Sequence, residues 1–136
     1  MNKNLSLLAL SQVFGFTANI ITVFLSGIVG SQITSIKSLS TLPTALSVLG
    51  TAIFTIIAAK IMDKIGRKLG FIFGALVSSA TCLLAVFAIT QQNFILFCTS
   101  HLILGLGIAF AHQYRFAAAE SVEKEKAPKA ISTLML

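Results

Sequence analysis

Four stretches of this chain, each free of acidic side chains and dominated by apolar ones, constrain its fold more than any other feature: Leu5 to Val29, Thr41 to Ala59, Leu69 to Ile89 and Phe94 to Ala119. The hydrocarbon core of a bilayer is about 30 Å thick and offers no water to an unpaired backbone group, so a crossing segment must be helical and roughly 20 residues long. All four stretches meet that condition. The expected fold class is therefore an all-α membrane protein, a single transmembrane domain over 1–136 with four transmembrane helices. After the fourth stretch, a charged segment from Glu120 to Lys129 leads into a further apolar run over 130–136, which reads as the start of a truncated fifth helix.

Composition excludes the main alternatives. The chain is 56% hydrophobic and 10% charged with a mean hydropathy of +0.94, whereas a soluble domain carries about a quarter charged residues. Its net charge of +6 does not point to nucleic acid. The basic residues sit in short clusters between the spans rather than along one helix face, and so the lipid bilayer is the expected partner. With four spans, Lys3, Lys60, Lys64, Arg67, Lys68, Lys124, Lys126 and Lys129 fall on one side and Lys37 on the other. By the positive-inside rule this makes a multi-pass protein of the inner (plasma) membrane, with its N-terminus cytoplasmic. The N-terminal apolar run has no small-residue cleavage site closing a short core, so it is expected to be retained as the first helix. Cys82 and Cys98 lie inside spans without metal-ligand spacing and read as buried packing residues.

Two helices carry a pattern finer than hydropathy. On the first, Gln12, Gly15, Asn19, Thr22 and Ser26 share a narrow arc at 100° per residue, while Val13, Phe14, Ile20, Ile21, Phe24 and Leu25 take the lipid side. On the third, Gly70, Gly74, Ser78 and Cys82 recur every four residues and form a seam that admits close approach of another helix.

The segment Ala59-Lys60-Ile61-Met62-Asp63-Lys64-Ile65-Gly66-Arg67-Lys68 sits where a loop of nine residues, 60–68, is expected between the second and third spans. Gly66 is suited to the left-handed backbone that ends a helix. Positive-inside placement explains the lysines but does not require Asp63. This D-x-x-G-R-K string resembles the signature loop of the major facilitator superfamily, G-x-x-x-D-x-x-G-R-[RK], with Ala59 at the first glycine position. The resemblance implies a partial N-terminal half of a major facilitator fold, whose complete members have twelve helices in two halves. It implies that Asp63 faces a helix N-terminus in the other half, where the helix dipole favours a carboxylate. It also implies that Arg67 pairs with an acidic residue at the end of the fourth helix, a place held here by Glu120.

In the family's fourth helix, R-x-x-x-G-x-G corresponds here to His101-Leu102-Ile103-Leu104-Gly105-Leu106-Gly107, so a titratable imidazole replaces a permanent cation. His101, Gly105, Ile108, His112 and Arg115 return to one face of a continuous helix. An arginine within a span must face protein or water. Because the family's first and fourth helices line its central cavity, Gln12, Asn19, His101, His112 and Arg115 are the candidate cavity-lining residues, and Asp63, Gly66, Arg67 and Lys68 the signature loop. The same helical extrapolation turns Gln113 and Tyr114 elsewhere, with no role expected. Packing hydrogen bonds are the plain alternative for the polar residues.

The function this implies is the N-terminal part of a secondary transporter that moves a small solute by alternating access, inactive without the remaining transporter helices. Protons are the candidate coupled ion. Two alternatives compete with this reading: a dimeric four-helix multidrug exporter, which the lack of a carboxylate in the first span opposes, and a non-transporting membrane scaffold. No cofactor is expected. An enzyme is not expected either, since no Ser-His, H-E-x-x-H or paired-Asp arrangement lies in the spans. Nor is a metal site, because His101 and His112 are separated by about 16 Å of helix.

Overall fold

The computed structural model describes residues 3–114, 116, 117 and 132, with side chains from Ser6 onward. Arg115, Glu120 and, apart from Ser132, the apolar run at 130–136 lie outside the described residues. Among the described residues four helices make up the fold: α1 (Lys3–Ile33), α2 (Leu42–Ile65), α3 (Arg67–Thr90) and α4 (Phe94–Ala111), with a short 3-10 turn at Lys37–Leu39 between the first two. Each contains a segment long and apolar enough to cross a membrane. Among the described residues there is no β-strand.

Local chemistry sets the helix ends. Pro43 lies in the first turn of α2, where a missing N–H removes no intrahelical bond. Asn93 caps α4 with its side-chain oxygen, which accepts from the Leu96 N–H at 3.0 Å. The loop expected over 60–68 is not a loop. α2 continues to Ile65 and α3 begins at Arg67, leaving Gly66 alone between them. A helix of 24 residues is about 36 Å long. Its last turns can therefore project beyond the hydrocarbon and keep their backbone paired there, carrying Lys60, Asp63 and Lys64. Gly66 has φ 85 and ψ 157, so its φ is positive as expected but its ψ departs from the left-handed helical value. This region of backbone space is essentially restricted to glycine.

The fourth helix also departs from expectation. Regular α4 ends at Ala111, not near 119. The Gln113 N–H then donates to Phe110 O at 3.1 Å, a three-residue step, and the N–H groups of Phe116 and Ala117 both donate to Gln113 O. Helical backbone resumes at Tyr114.

α4 is the centre of the bundle. Half of its span is buried, against about a tenth of the α1 span. The two glycines of its Gly105-Leu106-Gly107 string explain why. Two residues along a helix turn a side chain by about 200°, so the glycines open opposite faces. Gly105 meets α2, where a Cβ would lie 2.6 Å from Thr51 N and 2.7 Å from Gly50 C and Ser47 O. Gly107 meets α3, against the Ser78 hydroxyl and Gly74 O. The small-residue seam of α3 is therefore the groove that receives α4, and Gly74 also seats Phe110. Ala58, Met62, Ala109 and Phe110 form the buried apolar cluster. Cys98 is buried, but Cys82 is exposed: two four-residue steps beyond Gly74 rotate it about 80° off the buried side of α3, which continues through Thr81 and Ala88.

α1 is attached more loosely. Ser26 Oγ and Thr44 Oγ1 share a hydrogen bond of 2.5 Å, and Gly30 rests on the Ser40 carbonyl. On its other side Val13, Phe14, Ile20, Ile21, Phe24 and Leu25 are each at least half exposed, as a lipid-facing surface requires.

Candidate functional site

Because α1 and α4 meet closely only in part, a cleft opens between them toward the end of the bundle that carries Gly66. It encloses about 30 Å³ and is lined by Gln12, Gly15, Phe16, Asn19, Ile108, Ala111, His112 and Tyr114. A neighbouring hollow continues from Asn19 and His112 along α2, past Ser47 and Thr51. The polar arc of α1 supplies one wall, and the end of α4 the other. Phe16 and His112 stand edge to face, with ring centroids 6.1 Å apart and planes at 78°. Such geometry matches the positive edge and negative face of aromatic rings.

Of the candidate cavity-lining residues, Gln12, Asn19 and His112 come together around this cleft. His101 does not. Its ring is buried against Phe97, and its Nδ1 lies 3.0 Å from the Phe97 carbonyl oxygen. Its Nε2 is buried and has no hydrogen-bond partner among the described residues. Arg115, the fifth candidate, lies outside the described residues.

Tyr114 is the residue that sequence reasoning missed. Seven residues after Gly107, it falls at nearly the same angle on the helix, toward α3 and away from the line of His101 and His112 that carries the other candidates. Its ring is stacked on Phe71 of α3, with centroids 4.3 Å apart and planes at 18°. From there it also borders the cleft.

At the α2–α3 junction Asp63 and Lys68 are exposed, and Arg67 is half-buried, its Nη1 3.7 Å from Met62 Sδ. The pairing of Arg67 with Glu120 falls outside the described residues. Among the described residues no His, Cys, Asp and Glu gather in a group that could hold a metal ion.

The family profile described as Major Facilitator Superfamily matches residues 5–136. The chain belongs to the major facilitator superfamily. It is similar to the riboflavin transporter RfnT of Brucella anthropi, with 34% identity over 134 residues, covering 98% of this chain and 34% of that protein. It is also similar to two proteins of Bacillus subtilis (strain 168), the uncharacterized MFS-type transporters YdeG and YddS. Each is 25% identical over 134 residues, which cover 98% of this chain and 31% of the relative. The chain thus spans about a third of the length of the curated relatives it matches. No solved structure matches it. Major facilitator proteins are membrane transporters, and this member is a multi-pass membrane protein whose described helices form part of that fold.

Proposed function

We propose that this chain is the N-terminal part of a secondary transporter that moves a small solute by alternating access, with the cleft between α1 and α4 forming one wall of the solute path. The observation that carries the reading is the position of Gln12, Asn19 and His112. They line one recess between helices whose outer faces are apolar. Polar groups at membrane depth are costly unless they face protein or a water-filled path. In this reading the N-terminus and the α2–α3 junction lie in the cytoplasm, on the side that eight of the nine inter-span and terminal basic residues occupy. Asp63 and Arg67 act there as latch charges toward the other transporter half and toward Glu120, and protons are the candidate coupled ion.

Riboflavin is the first solute to test, because the relative at 34% identity is named for its transport. The protein carrying this chain, expressed in full from its own gene, is reconstituted in vesicles under an imposed proton gradient. Labelled riboflavin and then a panel of small solutes are offered. Solute accumulation above empty vesicles is expected, with loss in Asn19→Leu and His112→Ala variants that still insert. A correctly inserted protein that moves no solute refutes transport and favours a membrane scaffold.

A further inference from the structure

The cleft has a chemistry more specific than polar. Three rings border it: Phe16 and His112 meet edge to face, and Tyr114 is fixed in orientation by its stack on Phe71. Between them Gly15 leaves a gap, since a Cβ there would meet nothing within 4 Å. Gln12 and Asn19 stand seven residues apart on the same arc of α1, about 10 Å along the axis. A carboxamide presents a donor and an acceptor side by side, the pattern that pairs with the lactam or amidine edge of a ring heterocycle. None of the described lining residues is Asp, Glu, Lys or Arg. The recess itself is small, about 30 Å³, but it runs into the neighbouring hollow along α2, whose volume of about 320 Å³ is at the small end of ligand sites.

The geometry points to a planar heteroaromatic ring system as the solute recognised here, bordered by Phe16, His112 and Tyr114 and hydrogen-bonded along its edge by Gln12 and Asn19. This inference rests on the transport reading above and names the class of solute for that same cleft. Ring faces supply affinity for flat conjugated surfaces, and the two carboxamides select for a donor–acceptor edge. Phe16 is 44% exposed, so trimming it removes a wall of the cleft and leaves no cavity in the core.

The test uses the full protein carrying this chain in lipid nanodiscs. The probe is lumichrome, a fluorescent tricyclic ring with lactam and imide edges, and the competitors are ribitol and choline. Saturable lumichrome binding that neither competitor displaces is expected. Phe16→Ala and Tyr114→Leu should weaken it roughly three- to tenfold, and Asn19→Leu about tenfold. Tyr114→Phe, which keeps the ring and its stack on Phe71, should stay within about twofold. The inference is overturned if ribitol or choline binds and lumichrome does not, or if folded Phe16→Ala and Asn19→Leu variants both keep the original lumichrome affinity. Lumichrome binding without any solute crossing vesicles leaves this inference standing and sinks transport. Transport of an aliphatic solute with no lumichrome binding does the reverse.

Discussion

Replacing Gly105 by alanine adds one methyl group where α4 meets α2, and the structure fixes what that methyl encounters. Its carbon would lie 2.6 Å from Thr51 N and 2.7 Å from Gly50 C and Ser47 O, all of them backbone atoms. Backbone cannot rotate away as a side chain can. To move from 2.6 Å to the 3.4 Å at which ordinary contact begins, the two helices must separate by about 0.8 Å along this line. Overpacking of this kind costs roughly 1–3 kcal/mol, and the separation also loosens dispersion contacts between Ala58 and Ala109 in the same interface. The companion substitution, Gly107→Ala, meets the Ser78 hydroxyl first and backbone only second. Its cost should therefore be largely reversed by Ser78→Ala, whereas no side-chain trimming on α2 can rescue Gly105→Ala. Gly27→Ala, whose added carbon meets nothing within 4 Å, is the control. Reversible unfolding in mixed micelles gives the four stabilities. A Gly105→Ala protein within about 0.5 kcal/mol of the original, or one rescued as readily as Gly107→Ala, would refute the claim that α2 and α4 meet backbone to backbone.

Other substitutions probe single contacts by the same measurement. Gly66→Ala forces an alanine into φ 85, ψ 157 and should cost about 1–3 kcal/mol. Circular dichroism should show the α2–α3 junction fraying, and unchanged stability would mean the turn relaxes freely. Asn93→Ala removes the cap on Leu96 N and should cost about 0.5–2 kcal/mol, while Asn93→Asp should keep most of it. Ser26→Ala breaks the bond to Thr44 Oγ1 and should cost about 0.6 kcal/mol, the usual worth of an interhelical hydrogen bond in a membrane. A double-mutant cycle with Thr44→Val would isolate that energy.

What was legible in the sequence was what depends on local solvation. The four spans follow from hydropathy because lipid tolerates no unpaired backbone, and the lipid face of α1 from the angular spread of Val13, Phe14, Ile20 and Phe24. The seam of Gly70, Gly74 and Ser78 was visible as a groove, though its occupant was not, since nothing in α3 itself names α4. Cys82 shared the seam's spacing, but a strict four-residue step drifts off the buried side, which runs through Thr81 and Ala88 instead. Helix ends were misjudged where polarity was taken for loop, as over 60–65, because a charged turn outside the hydrocarbon can remain helical. The cleft was half legible. Gln12, Asn19 and His112 lie on the polar arcs of their helices, so angular reasoning reached them. Tyr114 lies on the side turned to α3, off the line of His101 and His112, where nothing polar marks it. His101 lies on the same helical face as His112, but α4 descends into the bundle before reaching the open end, so the shared face is packed at one position and open at the other.

The central place of α4 has a consequence for how the protein is made. Translation delivers the spans in order, so α1, α2 and α3 enter the bilayer before the helix that joins them exists. α2 and α3, linked through one residue, touch mainly where Met62 lies on Gly70 near that link, and elsewhere each packs on α4. The surfaces around Ser47 and Gly50 on one side and Gly74 and Ser78 on the other therefore have no helix to receive until the fourth span is delivered.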